Sequence, residues 1–272
     1  LPAVTLVITA VLAVALGVGW GIATDVAIAR TDDDALGLPV STDRILITGF
    51  AIPLGFLILL FAPMVLIRLW RPGGRESLDG FVIGALAALC FVSAGSLTRL
   101  APQLANGPVD DDGQSPVHLL IAGAIQGVAI PLTAAAVGGA VGATLWFTRR
   151  TDAGPKPRWY ALSSPTPAVA FAVALYLGLG VLDVFAPPSN VETAVYILLA
   201  VVALYALRIV VHSTLLHEQP DDARPDEPVL CPQCENVVPD LPFCARCGVA
   251  GHAASRTSRA QRRSTRPVPA AQ

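Results

Sequence analysis

Residues 231–248 read CPQCENVVPDLPFCARCG, and Cys231, Cys234, Cys244 and Cys247 stand there in two C-x-x-C pairs with nine residues between them. Each C-x-x-C turn aims two sulfurs at one point, and four thiolates complete the tetrahedral shell that zinc takes in structural sites. A closed shell leaves no position for an activated water, so the expected cofactor is a structural Zn, held by these four residues, and not a catalytic one. Two independent redox pairs are the competing reading, and they fit the spacing less well. Phe243 is expected to pack beside the site and Gly248 to relax the turn after Cys247. So short a segment has almost no core of its own, and the metal would supply its folding free energy, on the order of 10 kcal/mol. His252 is read as a solvent-exposed side chain and not as a spare ligand. The fifth cysteine, Cys90, lies alone in an apolar run and is read as a small core hydrophobe.

The rest of the chain is oily. Of 272 residues, 54% are apolar and 14% charged, against about a quarter charged in a soluble domain. Mean hydropathy is +0.62, and the apolar residues fall in long blocks. A helix needs roughly 20 apolar residues to cross a bilayer. Blocks at about 3–29, 45–70, 78–101, 116–147, 166–185 and 191–217 meet that length, the fourth being long enough to tilt or to break at Pro131. The first lacks the basic flank of a signal peptide and is read as a retained helix. The expected fold is therefore all-α: a polytopic six-helix transmembrane bundle followed by a linker at 219–230, a zinc ribbon at 231–248 and a disordered basic tail at 249–272.

The loops alternate in charge. RTDDDALGLPVSTDR and NGPVDDDGQ are acidic, DVFAPPSNVE has no Lys or Arg, and RLWRPGGRE and TRRTDAGPKPR are basic. Lys and Arg in short loops stay on the cytoplasmic side. Every loop then agrees on one topology, with both termini and the ribbon in the cytoplasm of a cell bounded by its plasma membrane. Thiols stay reduced there, as a metal site requires. The net charge of −2 implies no global electrostatic partner.

Ionisable side chains in lipid are costly and mark function. Asp25, Arg99 and Asp183 fall near the outer ends of the first, third and fifth spans. Arg68 and Arg208 fall near inner ends, where they can snorkel. Gln126 is the polar residue placed nearest mid-depth, either bonded to a neighbouring carbonyl or lining a polar groove. No span carries a His, Asp or Glu constellation at its centre, so no catalytic residue is assigned.

Residues 76–100, ESLDGFVIGALAALCFVSAGSLTRL, resemble a signature segment of the PrsW-type intramembrane proteases: an LDG-like start, a small-residue helix, then Phe followed four residues later by Glu and Asn. Phe91 is in place, but Gly95 and Ser96 stand at the Glu and Asn positions. In IPLGFLILL, Pro53 is in register with the family's preceding helix, while Phe56 and Leu57 replace its paired glutamates and Leu60 its lysine. In the following helix Ala134 falls at the His and Gly138 at the polar residue four further on. The resemblance covers roughly residues 45–147 and implies a protease scaffold without its proton-transfer groups, a pseudoprotease. The tail is similar to short zinc ribbons appended to bacterial membrane proteins, which implies an inner-membrane location and a docking module.

Small residues at Gly17, Gly21, Gly138, Gly139, Ala140 and Gly142 let helices approach closely. They are expected to pack this bundle, or more sharply to hold the transmembrane helix of another protein. Arg256, Arg259, Arg262, Arg263 and Arg266 give the tail a route to anionic lipid at about 1 kcal/mol each, whereas a nucleic-acid partner is not expected. The functional expectation is a catalytically inactive membrane scaffold or adaptor with a membrane-protein partner. Two alternatives stand beside it. One is an active protease with displaced residues among His118, Asp25, Arg99 and Asp183. The other is a transporter subunit, to which the prolines interrupting two spans, Pro53 and Pro131, would point.

Overall fold

The computed structural model describes residues 3–32, 45–70, 76–106, 123–147, 163–185, 189–217, 228–231, 233–239, 241 and 243–249. Six helices in it are long and apolar enough to span a bilayer: α1 (Ala3–Asp32), α2 (Ile45–Trp70), α3 (Ser77–Asn106), α4 (Ile125–Trp146), α5 (Pro165–Phe185) and α6 (Ser189–His217). The protein is thus an all-α bundle of six membrane-spanning helices with a small four-cysteine module at its C-terminal end. Residues 116–122 of the expected fourth span, His118 and residues 250–272 lie outside the described residues, as does most of the expected linker. Its last three residues, Pro228–Leu230, form strand β1, which pairs antiparallel with β2 (Val237–Pro239).

Neither expected interruption is a break. The first turns of α2 and α4, Ile45–Ala51 and Ile125–Ala129, are π-helical, and each is followed two residues later by a proline, Pro53 or Pro131. Proline lacks the N–H of the ladder, and its ring clashes with the carbonyl four residues back. The wider turn absorbs both defects. Both helices then run on as α-helix, to Trp70 and Trp146, even though α2 carries a further proline, Pro63.

The helix α4 is central: 72% of its span is buried, against 22% for α1 and 17% for α6. It packs most extensively against α3, and α3 packs in turn against α1, at residues further along the helix from Phe91 to Thr98. Glycine makes both contacts possible. A Cβ on Gly80 or Gly84 would strike the backbone carbonyl of Gly142 or Gly138, and Gly138 and Gly142 are blocked in turn by Gly84 and Gly80. Gly17 of α1 sits against the Phe91 carbonyl, and Gly21 against Gly95 and Thr98. Without a hydrophobic drive between helices in lipid, such backbone-to-backbone contact supplies the dispersion energy of association. The small residues of the sequence are used within the bundle itself. At the other end of α4, Arg68 Nε donates to the Leu145 carbonyl at 3.3 Å, and its guanidinium lies 5.7 Å from the Trp146 ring centroid. A cation there favours the helix dipole.

Candidate metal centre

The four cysteine sulfurs lie within 4.8 Å of one another. Cys231 Sγ is 3.5 Å from Cys247 Sγ and Cys234 Sγ is 3.9 Å from Cys244 Sγ. Both separations are far beyond the S–S bond length of about 2.05 Å. They bracket the roughly 3.8 Å expected between ligands of a tetrahedral site with metal–sulfur bonds of about 2.3 Å. The four thiols therefore fit a single tetrahedral metal ion, and no fifth donor is needed.

Local backbone chemistry builds this geometry twice. In the first turn the Cys231 N–H donates to the Asn236 carbonyl at 2.9 Å, and the Glu235 N–H donates to the Cys231 carbonyl at 3.0 Å. In the second, the Cys244 N–H donates to the Val249 carbonyl at 2.8 Å, and the Gly248 N–H to the Cys244 carbonyl at 2.9 Å. Glu235 and Gly248 both have positive φ, 52° and 74°. The relaxed turn expected at Gly248 is present; its twin at Glu235 was hidden because glutamate carries no turn signal. Asn236 and Arg246 join the two turns: Arg246 Nη1 donates to Asn236 Oδ1 at 2.7 Å, and Asn236 Nδ2 donates to the Cys234 carbonyl at 2.7 Å.

The thiols differ in acidity. Hydrogen bonds from the Asn236 side chain and backbone bring Cys234 down to about 6. Backbone N–H groups of Cys247 and Arg246 also lower Cys244. The Val249 backbone favours the Cys247 thiolate, but desolvation and the crowding of Cys231, Cys244 and Cys234 push it up to about 12. Thiolates this close repel each other, and a divalent cation between them removes that cost.

Phe243 does not pack beside the sulfurs as expected. It is 64% exposed, while Val229, Val238 and Val249 cover Cys231 and Cys244. Within the hairpin, Val238 turns inward and Val237 outward.

No family model, curated protein or solved structure matches this chain. Leu57, Leu60, Phe91 and Ala134 are all buried in one apolar cluster, with Phe56 packed against it. Phe56 meets Phe91 edge-on at 5.3 Å and Tyr176 at 4.8 Å between ring centroids. Cys90 is half-buried against this cluster, a small hydrophobe as expected. Gln126 is exposed in the opening π turn of α4, near the start of that described span. Arg208 and His212 are exposed on α6. Asp25, Arg99 and Asp183 do gather at one end of the bundle. Arg99 Nε is 3.7 Å from Asp25 Oδ1, and Arg99 Nη2 donates to Thr24 Oγ1 at 2.7 Å. Arg99 and Asp183 face a common cavity.

Proposed function

We propose that this protein is a catalytically silent membrane scaffold or adaptor, built on a helical bundle that resembles PrsW-type proteases, which docks a partner through a cytoplasmic zinc ribbon. The observation that carries the reading is the content of the bundle centre. At the positions where the resemblance would put the paired glutamates, lysine and histidine, Phe56, Leu57, Leu60 and Ala134 fill one packed apolar cluster. Hydrolysis needs an activated water and a group to stabilise the oxyanion, and these side chains supply neither.

The ribbon supports the same reading from outside the lipid. Four thiolates in a reducing compartment select a soft or borderline metal, and zinc fits the tetrahedral spacing. Loop charge supports a cytoplasmic ribbon and cytoplasmic termini, and the resemblance of the tail to ribbons of bacterial membrane proteins supports an inner-membrane bundle. Phe243, Leu241 and Val237 are exposed on the ribbon surface, an apolar face of the kind that meets protein partners. The membrane-protein partner is engaged through helix faces and this module together. The arginine tail adds attraction to anionic lipid.

The test is an affinity purification in mild detergent that compares the intact chain, a chain ending at residue 219, and Cys231→Ser with Cys244→Ser. A membrane protein retained by the first and lost from both others supports the adaptor reading. Identical recovery from all of them overturns it.

A second reading has one observation in its favour: Asp25, Arg99 and Asp183 converge. A protease with displaced residues would use them. Cleavage of a membrane substrate that disappears in Asp25→Asn or Asp183→Asn would establish it in place of the first.

A further inference from the structure

The cavity faced by Arg99 and Asp183 lies where α1, α3 and α5 end and α2 and α6 begin, and its volume is about 190 Å³. Its inner wall is apolar, formed by Phe56, Ile130, Leu179 and Leu199 among others. Two polar atoms on that wall are buried without a protein hydrogen-bond partner among the described residues, Trp20 Nε1 and Tyr176 Oη. Tyr176 is 8% exposed. A buried donor left unpaired costs about 1–3 kcal/mol, so these atoms mark a place where a ligand oxygen is wanted. The indole N–H can only donate, so that oxygen must accept.

The rim has the opposite character. Asp183 accepts a hydrogen bond from Tyr196 and lies within electrostatic reach of Glu192 and Arg99. Arg99 is already engaged by Asp25 and Thr24. Among the described residues three carboxylates, Asp25, Asp183 and Glu192, therefore share one guanidinium, and this set carries excess negative charge. Tyr176 and Asp183 lie on one helix seven residues apart, which places the carboxylate about 10 Å further along the axis. Trp20 precedes Asp25 by five residues, about 7–8 Å. An anionic rim and an inner pair of unmatched donors are thus separated by an apolar stretch of similar length on two independent helices.

We propose that this cavity binds a small cationic amphiphile, with an ammonium group held at Asp183 and an acceptor oxygen roughly 7–10 Å away held by Trp20 and Tyr176. The volume is below the roughly 300–1,000 Å³ of pockets for drug-sized ligands, so the body between the two ends is small, of the order of one aromatic ring. An anionic ligand is disfavoured because Arg99, the one guanidinium among the described rim residues, is already paired. The inference stands apart from the scaffold reading: a silent adaptor and an enzyme could each carry such a site.

The test uses the full chain in detergent and three soluble probes of one shape. Para-methoxyphenethylammonium has both the cation and the acceptor, phenethylammonium lacks the acceptor, and para-methoxyphenylpropanoate reverses the charge. Calorimetric titration is expected to give binding of the first, severalfold weaker binding of the second, and none of the third. Asp183→Asn should weaken both cations at least tenfold. Tyr176→Phe should reduce the preference for the methoxy probe severalfold and leave phenethylammonium unchanged. Competition then distinguishes the source: displacement by phosphatidylethanolamine but not phosphatidylglycerol assigns a lipid headgroup, and retention of the probe assigns a free amine. No binding by any probe, meaning that water alone fills the cavity, overturns the proposal. So does equal binding of cation and anion by the wild-type chain, a result that needs no variant to fold.

Discussion

Glu235 and Gly248 occupy one position in two copies of the same turn: each follows the first cysteine of its pair by four residues, donates its N–H back to that cysteine's carbonyl, and has positive φ. Only one of the two is the residue type that this conformation favours. The module therefore holds a strained glutamate where a glycine would sit without cost.

Exchange at the two positions should act in opposite directions. An L-residue with a Cβ in the left-handed region is disfavoured by about 1–2 kcal/mol. Gly248→Ala is expected to weaken metal binding about tenfold, since metal affinity and folding are linked in so small a domain. Glu235→Gly should leave affinity unchanged or improve it severalfold. Competition against a chelator reads both, and equal losses in the two variants would contradict the shared geometry.

Metal affinity should rise with pH. Binding needs thiolates, so every thiol still protonated must release a proton. Crowding holds Cys247 up to about 12, whereas Cys234 is down at about 6 and is already ionised at neutrality. Apparent affinity for Co2+, followed by its thiolate charge-transfer absorbance, is expected to climb at least tenfold per unit between about pH 6 and 8. A flat profile would show that the four sulfurs do not bind together.

Removing the metal should unfold the ribbon and spare the bundle. Cys231→Ser with Cys244→Ser takes away two of four ligands, and each pair loses one member. Chelator-treated wild type and the double variant should both show proteolysis confined to residues beyond 217, with an unchanged melting temperature for the helices. Loss of the whole protein from the membrane would mean that the ribbon is required for the bundle.

Gly84, with Gly142, should be among the least replaceable residues of the α3–α4 contact. A Cβ on Gly84 would meet the Gly138 backbone, which cannot rotate away. Gly84→Ala is expected to cost about 1–3 kcal/mol by forcing the helices apart. Gly19→Ala is the control, because nothing lies within 4 Å of a Cβ there. Thermal denaturation in detergent compares them, and similar melting temperatures would refute the close approach.

The Arg99 pair should contribute far less. Both side chains are about half exposed, 47% for Arg99 and 50% for Asp25, and exposed pairs are worth at most about 1 kcal/mol. Asp25→Asn should therefore leave the melting temperature nearly unchanged in the same assay.

Six spans and a four-sulfur site were legible in the chain because both signals are local. Hydropathy over roughly 20 residues decides whether a helix can sit in lipid, and C-x-x-C brings two sulfurs together through backbone geometry alone. The sequence by itself also placed a relaxed turn at Gly248. What it left open depended on neighbours distant along the chain. Which glycine faces which carbonyl, whether Phe243 points in or out, and where Gln126 lies relative to the core are settled only when helices and strands are laid against one another. The same holds for Trp20 and Tyr176. As letters they are ordinary aromatic residues of membrane spans, and only the packing of α1 and α5 around a common cavity leaves their polar atoms buried and unmatched.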